Sequence, residues 1–315
     1  TVWYDTVAVE NLKANLPNLA ACTRRTLPLK SGPVDQLFTY QTLAGNAVEG
    51  SEGTVGTGIV AQSRVRQATI KQYFDFMSFS DKIVLTAIDP IVENHAAELG
   101  YRAALTVNTL VSAEFDVVGA VSGCSIDLSD NEFMSASVAR QAVMSIQGMD
   151  GRPKADGFYA GIMHPFAAFD LTNDNTAGSV LDLLKHVESG QDRLRRGVQG
   201  YQILTLDGIR WISTTTVPTT PNYPSTGKTG YHSYVLGNDA VFAISLGNTG
   251  VPGEKNFRLT TKNYGDGDRA DPAGVIGATS AYNFFFACIR RPVQASADSA
   301  ATLPMRRIRG EASIS

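Results

Sequence analysis

Along the chain, the clearest pattern of apolar and polar positions lies between residues 89 and 115, DPIVENHAAELGYRAALTVNTLVSAEF. Val92, Ala96, Leu99, Ala103, Val107 and Leu110 recur three or four apart, while Asn94, Glu98 and Arg102 form a polar stripe. That spacing stacks side chains on one face of an α-helix, so it predicts a helix with one buried and one wet side. Asp89 suits the N-cap, because its carboxylate accepts the free N–H groups of the first turn, and Pro90 suits the first helical position. Glu98 lies four residues before Arg102, a pair that supports a helix. At 1.5 Å per residue the helix spans about 40 Å, roughly twice the usual length, and a rod that long serves as a backbone for other elements.

Weaker patterns flank it. Residues 3–21 predict an arm-like helix, with Pro17 breaking or kinking its far end. Residues 34–43 (VDQLFTYQTL) and 65–76 (VRQATIKQYFDF) have strand composition. Between them lies a stretch, 44–58, that holds Gly45, Gly50, Gly53, Gly56 and Gly58 and almost no large apolar group. The simplest arrangement is a long hairpin with a Gly-rich tip, and such a hairpin needs support from another surface. SDKIVLTA from Ser80 reads as a short helix. Residues 117–126 read as a short strand or loop. Ser129 and Glu132 have capping-box spacing and predict a helix over 130–146, ended by Gly148.

From Gly157 the chain alternates short strands and helices, an α+β unit: a strand at 157–164, a helix begun by Pro165, and another helix at 179–188. Asp207-Gly208 between 203–206 and 209–215 is a hairpin signal. PTTPNYPSTGKTG after Val217 reads as a polar loop of low order. Residues 234–246 return to strand and short-helix material. Residues 257–264 and 280–291 are strands, the last apolar enough to be buried on both faces. Beyond Pro292 the tail is small, polar and basic by turns, and no internal repeat is visible.

Composition narrows the function. With 43% hydrophobic and 18% charged residues in 315, the chain can bury a sizeable core. A net charge of -3 does not suggest a dedicated nucleic-acid binder, so any contact with DNA is local. Cys22, Cys124 and Cys288 are distant and odd in number, which favours structural thiols over a disulfide framework or zinc site. No apolar run approaches the roughly 18 residues that span a bilayer, and the N-terminus lacks a basic start before an apolar core, so a soluble chain is expected. The leading Thr1 fits either Met removal or precursor cleavage.

Local chemistry is sparse. GKT at 227–229 resembles a phosphate loop, yet the first glycine of that motif falls on Asn222. DGDRAD at 266–271 is dense in carboxylates but lacks the calcium-loop glycine and the bidentate Glu. His95, His164, His186 and His232 are isolated, with no zinc spacing. His164 with Asp170 is the one conceivable acid–base pair. Basic clusters remain: Arg193, Arg195 and Arg196; Arg290 and Arg291; and Arg306, Arg307 and Arg309. Each is a candidate for phosphates or a neighbour's carboxylates.

The order of elements is arm, Gly-tipped hairpin, long helix, α+β unit and returning strands. With the runs SFSDKIVLTAIDPIVENHAAELGYRAALTVNTL (78–110), GFYAGIMHPFAAFDL (157–171), LDGIRWISTTTVP (206–218) and DPAGVIGATSAYNFFFACI (271–289), it resembles the HK97-fold major capsid proteins of tailed bacteriophages, most closely the coliphage N4-like branch. The resemblance implies an α+β HK97-like capsid fold. Its parts are an N-terminal arm (1–31), an E-loop (32–76), a P-domain with the spine helix (77–129), an A-domain (130–247), P-domain return strands (248–292) and a C-terminal tail (293–315).

It further implies a structural, non-enzymatic protein without cofactors, made in the host bacterial cytoplasm. Copies of it form hexamers and pentamers of an icosahedral virion shell around double-stranded DNA. The implied partners are other copies, a portal, scaffolding or decoration proteins and the packaged DNA, with no membrane. The Gly-rich tip with Arg64 and Arg66 is the expected inter-subunit contact, and Arg193, Arg195, Arg196, Arg306, Arg307 and Arg309 are expected lumen or inter-subunit groups. The Pro-rich stretch 217–231 and the long tail depart from the family. An encapsulin-like cellular shell and an α+β enzyme using His164 and Asp170 are the alternatives.

Overall fold

The computed structural model describes residues 16–28, 30–40, 52, 63–86, 91–117, 121, 123–174, 202–206, 208–247, 257–262, 276–292 and 303–313. Pro17 opens a single helical turn, α1 (Pro17–Ala20), after a non-helical Leu16; residues 3–15 of the predicted arm helix lie outside the described residues. After β1 (Thr23–Leu27), strands β2 (Val34–Tyr40) and β3 (Ser63–Thr69) pair antiparallel from Val34↔Thr69 to Tyr40↔Ser63. That is the predicted hairpin, although the Gly-rich tip lies outside the described residues. Its second strand is shorter than expected. At Ile70, whose N–H donates to the Pro33 carbonyl at 2.8 Å, the chain leaves the hairpin. It continues as β4 (Lys71–Ser80) in a different sheet.

Helix α2 (Asp81–Thr86) precedes α3 (Ile91–Val117), the long helix that the apolar period predicts; its expected cap, Asp89 and Pro90, lies outside the described residues. Strand β5 (Ser125–Asp127) follows. The capping-box spacing makes a turn, not a helix: Glu132 accepts the Ser129 N–H at 2.7 Å, and Asn131 adopts a left-handed φ of 63°. Helix α4 (Ala136–Gln147) starts later, at Ser135.

Strand β6 (Tyr159–Met163) and helix α5 (Pro165–Asn173) form as predicted, while 179–188 lies outside the described residues. Strands β7 (Gln202–Leu206) and β8 (Ile209–Ser213) make the expected hairpin, with Gly208 at a φ of 78° that a side chain would strain. The Pro-rich stretch is ordered, contrary to its composition. Strand β9 (Thr219–Pro221) pairs with β10 (Thr229–Leu236), and the Tyr223 hydroxyl donates to the Leu128 carbonyl at 2.8 Å.

Strands β11 (Val241–Leu246), β12 (Phe257–Lys262) and β13 (Ile276–Arg290) complete the first sheet. β13 is its axis: β4 pairs along one edge, β12 and β11 each pair directly with successive stretches of the other, and β11 also pairs in parallel with β1. The second sheet runs β5-β14-β10-β6-β8-β7, with β9 beside β10. Its member β14 (Met305–Gly310) corrects the predicted tail: residues expected to trail at the end form a strand between β5 and β10. Strand β11, inside the stretch expected to be the A-domain, belongs to the first sheet with β13.

Helix α3 packs along β13. Leu99, Ala103, Val107, Val111 and Phe115 meet Tyr282, Phe284 and Phe286 in one buried cluster, with Leu110 partly buried beside it. Val92 and Ala96 lie on the helix, but their side chains fall outside the description. On β13, Ser280, Tyr282, Phe284 and Phe286 are buried on one face; on the other, Ala281, Asn283 and Phe285 are half-buried but Ala287 and Ile289 are buried, so the strand is buried on both faces only towards its end. A second core joins α4 to the other sheet through Ile146, Trp211, Val235 and Ile308. A third lies under the hairpin, where Leu37 and Ala68 meet Leu27, Ile244 and Ile289.

Candidate functional site

The candidate catalytic groups are engaged structurally. His164 caps α5, its Nδ1 accepting the Phe166 N–H at 3.3 Å, and burial pulls its pKa down. Asp170 instead accepts the backbone N–H of Ser313 at 3.1 Å and the Ser313 hydroxyl. The structure therefore separates the proposed acid from the proposed base. Lys228 of the GKT motif sits where β9 turns into β10, 2.5 Å from Asp130 and 2.6 Å from Glu311, so its charge closes an intrachain contact. His95 packs against Phe79 with the rings tilted by 33°. Residues 266–271 and His186 lie outside the described residues. Among the described residues no group of His, Cys, Asp and Glu is arranged to hold a metal, and no helix is long and apolar enough to cross a membrane.

What the fold does assemble is a set of polar ties that fasten helix α3 to the second sheet and to the chain around it. Asp116, near the end of α3, lies 2.8 Å from His232 Nδ1 on β10 and accepts from Arg307 on β14 at 3.2 Å and from the Tyr234 hydroxyl at 3.3 Å. The His232 hydrogen bond, supported by the Arg307 charge and opposed by partial burial, holds the Asp116 carboxyl down at about 2. Burial pushes the Tyr234 hydroxyl far above its ordinary range. Thr220 closes the chain at 2.7 Å from His232 Nε2. Another tie starts at fully buried Asn18 of α1, whose Nδ2 donates to Ser112 of α3 at 2.8 Å and to Thr216 at 3.0 Å.

The last basic cluster belongs to these ties. Arg306 is wholly buried and donates to Ser145 Oγ at 2.7 Å and to the carbonyls of Leu303 and Met305 at 3.1 and 2.7 Å. This corrects its expected lumen or inter-subunit role, because a guanidinium saturated inside its own subunit has nothing left to offer DNA. Arg307 is also buried and is bound to Asp116 and Ser125. Arg309 pairs with Asp127 at 3.0 Å and lies 3.8 Å over the Tyr223 ring, which packs the Pro-rich stretch down. Arg193, Arg195, Arg196 and the glycines 45, 50, 53, 56 and 58 lie outside the described residues.

The hairpin presents two unlike faces. Arg64 and Arg66 are half-buried on the side of Leu37 and Ala68, toward the subunit's own core. The opposite side carries Val34, Phe38, Tyr40 and Val65, with Tyr40 73% exposed. A second apolar surface lies on β4, where Phe74 is 72% exposed and Phe76 60%. Sequence reasoning centred on the glycines missed these aromatics. The signal was present in the alternation of VDQLFTY and QYFDF, where a strand with apolar residues on both faces must leave one uncovered unless another surface meets it.

No family model matches the chain, and no curated protein matches it at a significant level. The fold, however, is that of phage capsid structures. The capsid of Ralstonia phage GP4 superposes with a TM-score of 0.67 at 13% identity, over 93% of this chain and 87% of that one. The capsid of Helicobacter pylori bacteriophage KHP30 gives 0.65 at 13% identity, over 91% and 87%. That of cyanophage Pam1 gives 0.62 at 12% identity, over 90% and 86%. The chain thus has the HK97-like α+β architecture, shared nearly end to end at a level of identity where only the fold is preserved.

Proposed function

We propose that this chain is a major capsid protein of a tailed bacteriophage, assembling as hexamers and pentamers into an icosahedral shell around a double-stranded DNA genome. The observation that carries the reading is the fold shared with phage capsids over about nine-tenths of the chain. The exposed aromatic faces of the hairpin and β4 support it, since large uncovered apolar surface marks a contact with another chain. The role is structural, not catalytic. Within the fold family we assign the chain to the N4-like branch, on the four sequence runs that carry that resemblance.

The proposed parts follow the family with the strand corrections above. An arm covers 1–31 and an E-loop runs from 32 to 69. The P-domain comprises 71–129, 241–246 and 257–292, and the A-domain comprises 130–236 with 305–310. The stretch 44–58 reaches a neighbouring copy, while Arg64 and Arg66 stay on the side of the hairpin that faces its own subunit. Arg193, Arg195, Arg196 and Arg309 are the basic groups left for the lumen or a neighbour. A portal and scaffolding or decoration proteins complete the particle, which is built in the bacterial cytoplasm.

Expression of the full chain, followed by electron microscopy and sedimentation, tests the reading. Closed shells or capsomer rings are expected. A folded chain that stays monomeric at high concentration, alone and with its co-expressed virion proteins, overturns it. DNA inside particles isolated from infected cells separates a virion capsid from an encapsulin-like compartment.

A further inference from the structure

Helix α5 begins on a histidine cap. The carbonyl of His164 accepts the Ala168 N–H at 3.0 Å, and its Nδ1 accepts the Phe166 N–H at 3.3 Å. Asn, Ser and Thr are the commoner residues at such a position, and their side-chain oxygens accept at every pH. An imidazole nitrogen accepts only while it carries no proton, so this geometry requires a neutral His164 with its proton on Nε2. The ring is also held by its neighbours. It lies 4.6 Å from the Tyr231 ring of β10 at 31°, and the Phe166 ring stands edge-on to both, 4.9 Å from His164 and 5.5 Å from Tyr231. These three rings join the start of α5 to β10. Phe166 and Phe169, three positions apart on the same helix, are both exposed.

We propose that His164 is a protonation latch on helix α5: the neutral ring closes the first turn and keeps Phe166 on Tyr231, and the imidazolium opens it. A proton on Nδ1 sets two donors against each other where one bond had been, and it adds a positive charge at the positive end of the helix. The charged groups around the ring are already engaged. On α5, Asp170 is taken by Ser313. On β10, Tyr231 meets the imidazole with its ring, and the neighbouring His232 is turned to Asp116 and Thr220. On β14 and the residue after it, Arg309 is paired with Asp127 and Glu311 with Lys228. Burial alone therefore acts on His164, and it pulls the pKa below the ordinary 6.5. Because the unfolded chain binds this proton more readily than the folded one, the stabilisation is complete above pH 6.5 and is lost as pH falls toward the lower folded value. Farther along α5, the Asp170–Ser313 bonds and the burial of Leu171 do not depend on the imidazole, so the opening is confined to the first turn.

Amide hydrogen exchange over residues 165–168 of the full chain, corrected for its intrinsic pH dependence, tests the latch. His164→Asn supplies a cap that accepts at every pH, and His164→Ala supplies none. The parent should match His164→Asn at pH 7.5 and His164→Ala at pH 4.5. Protection of the Phe166 and Ala168 amides should fall about fivefold between the two conditions, with β6 and β8 unchanged. Nitrogen-15 spectra of the imidazole give a second reading that needs no variant: at neutral pH, Nδ1 should be bare and Nε2 protonated. Parallel loss of protection in the parent and His164→Asn, or a parent as unprotected as His164→Ala at pH 7.5, would overturn the proposal. So would a loss shared by β6 and β8, or an Nδ1-protonated tautomer at neutral pH. Every reading is taken within one subunit, so the outcome is independent of whether copies close into a shell.

Discussion

Leu99 and Leu105 sit on the same helix and are chemically identical, but Leu99 is 0% exposed and Leu105 is 40% exposed. Changing each to Asp therefore isolates the buried stripe of α3. At Leu99 the substitution removes an apolar side chain whose burial contributes about 1.5–3 kcal/mol. It also puts a carboxylate among Ala103, Tyr282 and other members of the first core, at a further cost of several kcal/mol even if the group becomes neutral. The sum, about 5 kcal/mol or more, is comparable with the whole stability of a typical domain. At Leu105 only the helix propensity and a partly wet surface change, about 0.5–1 kcal/mol. Soluble yield and urea unfolding followed by circular dichroism are the measurements. Leu99→Asp should be largely insoluble or unfold early, and Leu105→Asp should unfold close to the parent. Equal midpoints for the two variants would refute the assignment of the buried face, and with it the packing of α3 on β13.

The Asp116 carboxyl is held at about 2 against an ordinary 3.8, chiefly by its His232 hydrogen bond. A depressed carboxyl contributes stability that is complete above pH 3.8 and is lost as pH falls through about 2. The upper limit is about 2.5 kcal/mol, and solvent screening of the side chain reduces it to about 1 kcal/mol. The gap in unfolding midpoint between the parent and Asp116→Asn should close over that acid range, and a gap constant from neutral pH to pH 2 would contradict the tie. Gly161→Ala would put a Cβ 2.6 Å from Trp211 Cδ2 and 2.7 Å from Ile209 Cγ2. It should destabilise by about 1–3 kcal/mol, and a variant as stable as the parent in thermal denaturation would mean that β6 and β8 are not so closely packed. Phe38→Asp and Phe74→Asp should each leave the unfolding midpoint within about 0.5 kcal/mol of the parent while abolishing large particles in sedimentation. Normal particles from both would remove the aromatic faces from the assembly contacts.

The elements legible in the sequence are those whose signals are local. Helix α3 is written in a repeating spacing, β7 and β8 in a turn dipeptide, and α5 in a proline at its first position. What escaped depends on residues far away. MRRIRG looks like a basic tail because its guanidiniums are read without their acceptors. In the fold Arg306 reaches Ser145 and Arg307 reaches Asp116, both more than 150 positions earlier, and β14 becomes an inner strand. The Pro-rich stretch misled in the same way, since its order comes from Tyr223 meeting Leu128 and Arg309. Ser129 and Glu132 show the converse. Their local bond forms, but the backbone at Asn131, which donates to Glu311 of the far terminus, turns away from a helix.

Two kinds of surface chemistry are exchanged in this fold, and the exchange bears on how copies meet. Inside the subunit, Asp116 and Arg307 are committed to holding helix α3 to the second sheet, and Arg306 to holding β14 to helix α4. Outside, Phe38, Tyr40, Phe74 and Phe76 are left more than half exposed. Aromatic side chains of this kind bury about 150–250 Å² each when fully covered. Four of them, already partly covered, therefore supply only about 400–650 Å² to one contact, below the roughly 800 Å² per partner of a standard stable interface. Losses of translational and rotational freedom, about 4–15 kcal/mol per association, consume most of what such a patch returns. A single pairing through these faces is accordingly weak. A closed ring is different, because the last subunit to enter makes contacts on two sides for one loss of freedom. The exposed aromatics thus suit a protein whose contacts become stable together, in a closed assembly, and not one that rests as a dimer.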